Sequence, residues 1–287
     1  MSLVHWIADR PALRRPVLLV ALEGFVDAGS VASTAATFLS TRWGLQDVAR
    51  LDTDQLIDYR ARRPTGVIDG GRVRRLEWQD LVLSAAGLEA AAHDVMLLSG
   101  PEPDMRWHAF AAEVADLALD LEIEQVVIVG AYPAATPHTR PVSIVQAGNS
   151  IGGEGATGVA PVQAYTGPAP VGVALLESLE RVGIAGVSLW AEVPHYIANS
   201  PDPSATLAMV EQLTRIVGAV ADTSELEASA TVHRTQVDEA VADHEEAKGM
   251  VAALEEHVDS GAEELELPSG DALASEIERF LRTQQGG

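Results

Sequence analysis

The chain has 287 residues, 42 acidic and 19 basic side chains and no cysteine. A net charge of −23 leaves no basic footprint for a phosphate backbone, so nucleic acid is excluded as a partner. Without cysteine there is neither a disulfide framework nor a thiolate metal site. No apolar run approaches the roughly 20 residues needed to cross a bilayer, and no membrane role is expected.

In chain order, the first segment, MSLVHWIADRPALRRPV, has no apolar signal core ahead of its arginines, so a cytoplasmic location is expected. Val17–Leu22 is an apolar run of strand length. It is followed by the acidic glycine loop Glu23-Gly24-Phe25-Val26-Asp27-Ala28-Gly29-Ser30 and by helical spacing over Ser30–Arg42. Further strands are expected at Val95–Leu98, Val126–Val129 and Val187–Trp190, with helices over Met105–Leu121 and Val171–Val182. Strands alternating with helices predict a three-layer α/β/α sandwich on a mostly parallel sheet. Between residues 50 and 80 the pattern changes. Asp69-Gly70-Gly71 predicts a hairpin or an excursion at the sheet edge. Residues 141–170 form a long Gly/Pro-rich connection.

Residues 222–287 hold 17 acidic and 4 basic side chains, a net of −13. Ala230, His233, Val237, Ala240, His244, Ala247, Val251, Leu254 and Val258 fall on one seam of a helix over 225–258. So many alanines bury little area, which predicts docking on the body or a partner rather than a free coiled coil. A short helix, Ala272–Leu281, capped by Ser269 or Asp271, is expected to follow. The division is therefore a body over 1–221, an acidic helical extension over 222–281 and a frayed tail over 282–287.

The spacing Gly24…Gly29 is that of a phosphate loop, but Ser30 and Val31 stand where a Lys and a Ser or Thr belong. Asp27 adds repulsion, so nucleotide binding of that kind fails; a structural turn or a small-anion loop remains. If the strands are parallel, the loops after them gather Glu23, Asp27, Glu102, Asp104, Arg106, His138, Arg140, Glu192 and His195 at one sheet edge. Such a cluster suits acid–base chemistry, carboxylate recognition or a partner contact. The bland reading is that these loops cap strands, with Asp104 capping the helix that starts at Met105. His138 and Arg140 have no carboxylate partner identifiable nearby in sequence. No G-x-S-x-G elbow and no metal-binding histidine spacing occurs. His233 and His244, 11 apart, read as a polar seam rather than a metal site. No cofactor and no metal are expected.

Leu19-Val-Ala-Leu-Glu23-Gly24-Phe-Val-Asp27-Ala-Gly29, Val127-Ile-Val-Gly130-Ala and Tyr165-Thr-Gly167-Pro168 form an ordered set. It continues with Leu189-Trp190-Ala-Glu-Val-Pro194-His195-Tyr196, Asn199-Ser-Pro201-Asp-Pro203 and the acidic end around Leu254-Glu255 and Asp259. Over roughly residues 15–260 the chain resembles the proteasome assembly chaperone 2 family in its long actinobacterial form. The resemblance implies a sandwich like that of nucleoside phosphorylases and peptidyl-tRNA hydrolases. It also implies a homo-oligomer such as a trimer, a protein client or proteasome component as partner, and no established catalysis. Some relatives end in a hydrophobic–Tyr–any-residue docking tail; this chain ends in Gln284-Gln285-Gly286-Gly287. The alternative is an enzyme acting on a small anionic or nucleoside-like substrate at the strand-end edge. An ATP-dependent carboxylate–amine ligase is disfavoured, because the single lysine, Lys248, lies far in sequence from the strand-end loops.

Overall fold

The computed structural model describes residues 2–152, 158–162 and 164–260. The chain opens with β1 (Val4–Trp6), β2 (Val17–Glu23), a 3-10 turn at Ala28–Ser30, α1 (Val31–Trp43), β3 (Gln46–Leu51) and α2 (Thr53–Leu56). Next come β4 (Thr65–Asp69), β5 (Arg72–Glu77), β6 (Leu81–Ala86), β7 (Val95–Pro101), α3 (Trp107–Asp120) and β8 (Gln125–Ala134). It continues through β9 (Ile144–Gly148), β10 (Ala160–Pro161), α4 (Val171–Val182), β11 (Ala185–Pro194) and α5 (Pro203–Val217), and the last two elements are α6 (Ser224–Ala242) and α7 (Glu245–Ser260).

Nine of the described strands form one mixed sheet, ordered β1-β3-β6-β7-β2-β8-β11-β9-β10. Its centre, β7-β2-β8-β11, is parallel throughout, and it is flanked by antiparallel pairs. Alternation along β2 explains why its run is apolar without a break. Val17, Leu19 and Ala21 enter one core with α1, α5, α6 and α7, while Leu18, Val20 and Leu22 enter the other with α3 and α4. A strand buried on both faces can carry no polar alternation. The result is the expected α/β/α sandwich.

The hairpin foreseen at Asp69-Gly70-Gly71 is β4–β5, a two-stranded sheet separate from the main one. The seam foreseen over 225–258 is two helices, with the break at Asp243–His244. Leu226, Val237, Val241, Ala247, Val251 and Leu254 from this pair join the core under α1 and α5, so the helices pack on the body. His233 is buried in that seam and His244 lies at the break. The helix expected at Ala272–Leu281, its caps and the tail lie outside the described residues.

Candidate functional site

In an open parallel sheet the natural binding crevice lies beyond the strand C-termini, where the chain changes direction across the sheet. Here that point is between β2 and β8. The loop after β2 folds across it: Asp27 bridges to Ala131, and the Ala131 N–H donates to the Val26 carbonyl at 2.7 Å. Gly130 permits this approach, since a Cβ there would stand 2.7 Å from the Trp190 ring and 3.1 Å from the Val26 oxygen. Gly29 turns the loop into α1 at φ 61°, a left-handed conformation that glycine adopts without strain.

The loop carboxylates hold backbone. Asp27 accepts from the Ala32 N–H at 2.7 Å and from the Ser33 hydroxyl at 2.7 Å, tying down the first turn of α1. Burial raises its carboxyl above the ordinary value, against the pull of those hydrogen bonds, and the nearby Glu23 charge adds to the rise. Glu102 is buried, 8% exposed, and bridges two elements: it accepts from the Val171 N–H at 2.8 Å and the Phe25 N–H at 3.2 Å. The residue before Val171 is Pro170, whose side chain offers no cap, so Glu102 serves that end of α4 from across the sheet. Glu23 itself is exposed, and its carbonyl accepts from the Glu102 N–H.

The loop after β8 is clamped by the C-terminal helices. The His138 ring lies between Tyr196 and Asp238. The Tyr196 oxygen accepts from the His138 backbone N–H at 2.9 Å, so its hydroxyl proton turns to His138 Nδ1 at 2.6 Å. This leaves Nε2–H to donate to Asp238 on α6 at 3.1 Å. Burial holds the imidazole below its ordinary value, although Asp238 pulls the other way. Arg140 forms a fork with Asp259 at 2.9 and 2.7 Å and reaches Glu255 at 3.1 Å, both on α7; Thr139 also donates to Glu255. The carboxylate partners that sequence proximity did not offer are thus Asp238, Glu255 and Asp259.

Glu192 accepts from the Tyr132 hydroxyl at 2.7 Å, and burial with this carboxylate pushes the Tyr132 phenol well above its ordinary value. His195 stacks edge-on against Tyr196, with ring centroids 5.4 Å apart. Two expected members stand apart from this group. Arg106, in a left-handed conformation at φ 57°, reaches Gln55 on α2. Asp104 caps no helix; it accepts from the Asp58 N–H and pairs with Arg62, because the helix begins at Trp107 rather than Met105.

Between the post-β8 loop, the end of β11 and α6 remains a cavity of about 20 Å³, lined by His138, Arg140, Glu192, Asp202, His233 and Arg234. That is room for about one water molecule. Buried His233 Nε2 has no hydrogen-bond partner among the described residues, and burial holds this ring too below its ordinary value. Asp202, Tyr196 and His233 were missing from the expected cluster. Asp202 had a visible signal, the Asp-Pro pair that opens α5: its side chain accepts from the Ser204 and Ala205 N–H groups. A wider open hollow, about 500 Å³, lies outside this, lined by Tyr132, Thr136, Glu192 and His257. Among the described residues no group of three His, Asp or Glu side chains is placed to hold a metal ion, and no helix is long and apolar enough to cross a membrane.

The family model described as the PAC2 family matches residues 21–241. The chain belongs to the PAC2 family. The match runs from β2 through α6 and so includes the clamped loops. The Mycobacterium tuberculosis proteasome-assembly chaperone homologue Rv2125 is 31% identical, with a TM-score of 0.75 over 82% of this chain and 99% of its own. A PAC2 family protein from Streptomyces avermitilis is 34% identical, with a TM-score of 0.72 over 82% and 99%. A Corynebacterium glutamicum protein of unknown function is 29% identical, with a TM-score of 0.83 over 90% and 98%. No curated protein matches the chain.

Proposed function

We propose that this PAC2 family member is a protein-binding, chaperone-like factor, with a proteasome component as its client and a homo-oligomer, such as a trimer, as its working form. One observation carries the reading. The crevice where a sandwich of this kind would hold a small ligand is filled by the chain itself: loop 24–30 and Glu102 leave a cavity of only about 10 Å³ beside Val26, and α6 leaves about 20 Å³ beside His138. Family membership and the Rv2125 homologue give the direction. In this reading residues 1–221 form the body, the acidic stretch from 222 onward is a partner-facing extension, and the protein works in the cytoplasm. The enzyme alternative has the hollow beside Glu192, but an anionic substrate there would meet that carboxylate, and none of the described lining residues is Lys or Arg.

The test uses separately purified proteasome α and β subunits from the same source. Added in slight excess, the chain is expected to speed their conversion into the complete cylinder on native gels and to cross-link to one subunit. Unchanged conversion with no cross-link refutes the reading. A metabolite that raises the melting temperature by several degrees would instead revive the enzyme.

A further inference from the structure

The open hollow of about 500 Å³ lies between the ends of β8 and β11 and residues 257–258 of α7. Its wall divides in two. Ala134, Ala135 and Val258, the last 40% exposed, make an apolar side. Glu192 and the buried Thr136 make a polar side, and the same two residues line the inner cavity beside His138. His257 is the remaining polar group on the α7 side. Glu192 is the only carboxylate among the described lining residues, and no Lys or Arg stands there to neutralise it. Arg140, which shares the inner cavity with Glu192, is already forked on Asp259 and held by Glu255. A half-buried carboxylate beside an apolar wall attracts a cation more strongly than one in open water, because the local dielectric is lower.

The hydrogen bonding selects the cation. Tyr132 donates to Glu192 Oε1 at 2.7 Å, and burial together with that carboxylate keeps the phenol protonated. This is the only side-chain hydrogen bond of Glu192 among the described residues, so one oxygen, Oε2, is left. An arginine pairs best through two parallel N–H donors on both carboxylate oxygens, whereas a lysine ammonium is a point charge that needs only one. The ammonium has three donors, and the Thr136 hydroxyl offers a further acceptor. A lysine also brings a four-carbon stem, which suits the apolar wall. The form of the hollow selects the carrier. Pockets for free small molecules enclose most of the ligand, and this one is open to solvent. A side chain presented by another protein needs no such enclosure. The chain itself has one lysine, Lys248, and Glu245 holds it at 2.5 Å, so neither this copy nor a second one supplies an unpaired lysine.

We propose that the hollow beside Glu192 receives a lysine side chain from the surface of a different protein. Its ammonium sits on Glu192 Oε2, its stem lies along Ala134, Ala135 and Val258, and Tyr132 disfavours arginine by holding the other oxygen. The inference rests on the protein-binding reading and gives it a specificity element. It does not depend on which protein the client is.

The experiment is an NMR titration of the isotope-labelled full chain at low salt with three probes: the N-acetyl methylamides of lysine, arginine and norleucine. The lysine probe is expected to shift the Tyr132, Glu192 and Val258 amide signals saturably, with a Kd on the order of 1 mM. The arginine and norleucine probes are expected to bind at least about fivefold more weakly. Glu192→Gln is expected to weaken the lysine probe about tenfold, while its amide oxygen still accepts from Tyr132. Tyr132→Phe frees Oε1 and is expected to bring the arginine probe level with the lysine probe, a gain that a merely loosened variant cannot show. No saturable binding of the lysine probe to the wild type overturns the proposal. So does norleucine binding as well as lysine, which makes the hollow merely apolar, and so does arginine matching lysine while Tyr132 is intact. Undiminished lysine binding by Glu192→Gln overturns it too. If the lysine probe fails while the chain still cross-links to a proteasome subunit, this site falls and the chaperone reading stands. If the probe binds as expected and no subunit cross-links, the client falls and the site stands.

Discussion

Replacing Glu102 with alanine separates a structural carboxylate from a ligand-binding one. The side chain is buried and holds two backbone donors, Val171 N–H at 2.8 Å and Phe25 N–H at 3.2 Å. Losing a cap of this kind costs about 1 kcal/mol. Stranding a buried N–H without a partner adds about 1–2 kcal/mol. The sum, about 2–3 kcal/mol, corresponds to a fall of roughly 4–8 °C in melting temperature for a domain of this size. Differential scanning calorimetry with matched urea titrations measures both quantities. Glu102→Gln is expected to lose about half as much, because the amide oxygen still accepts from one N–H while its NH₂ group opposes the other. If Glu102→Ala melts within about 1 °C of wild type, the two hydrogen bonds are not holding α4 and the loop, and Glu102 is not a structural closure of the crevice.

Other outcomes follow from the same geometry. Burial lowers both His138 and His233, so the fold favours their neutral forms. That stability is complete above the unfolded imidazole value of about 6.5 and is lost as pH falls through the lower folded values. Urea midpoints should therefore decline below about pH 6.5, and His138→Gln should flatten the decline; an identical slope in the variant refutes the assignment. Asp27 is raised, so its share runs the other way: the fold gains from its protonation as pH drops toward the ordinary carboxylate range, and Asp27→Asn should abolish that gain. Arg140→Ala removes the anchor of α7 to the post-β8 loop, and hydrogen exchange should then quicken in residues 245–260 while β2 stays protected. Gly249 sits inside α7 with open space where a Cβ would go, so Gly249→Ala should stabilise by roughly 0.5–1 kcal/mol, read as a higher melting temperature.

The central strands were legible because burial on both faces leaves them almost wholly apolar, with Ser188 the one polar residue in the four runs. Val17–Leu22, Val95–Leu98, Val126–Val129 and Val187–Trp190 all lie inside observed strands. Helix α4 matches its expected span, while α1 and α3 each begin later and end elsewhere by one or two residues. The antiparallel flank was not legible. β3 carries exposed Gln46, Asp47 and Arg50, and β6 reads Leu-Val-Leu-Ser-Ala-Ala, so neither showed a pattern tied to a helix that follows. Strand-end logic brought His138, Arg140 and Glu192 to one edge, where they line one cavity. Their partners could not be read, because Asp238 lies 100 residues from His138 and Asp259 lies 119 from Arg140. Only the packing of α6 and α7 over that edge pairs them. Asp104 was misread for a local reason: two residues separate it from the helix start, so its oxygens serve Asp58 and Arg62 instead.

The way α6 and α7 are held has a consequence for where this molecule meets others. Their inward seam interleaves Ala230, Ala240 and Ala247 with Leu226, His233, Val237, Val241, Val251 and Leu254, and burying an alanine methyl yields little compared with a leucine. Polar fastenings at three points, Arg42–Glu225, His138–Asp238 and Arg140 with Glu255 and Asp259, add to that packing and fix how the two helices sit. Most of these pairs are partly exposed, so each is weak and screened by salt. The acids used inward leave Glu239, Asp243, Glu246 and Glu256 on the outside, with no ion pair of their own among the described residues. One helical pair thus closes the crevice with one set of carboxylates and presents another set outward. The loop 24–30, with the spacing of a phosphate cradle, is instead tied to the chain that leads into α5: the Gly29 N–H donates to the Ala198 carbonyl at 2.7 Å and the Gly29 carbonyl accepts from the Asp202 N–H at 2.9 Å.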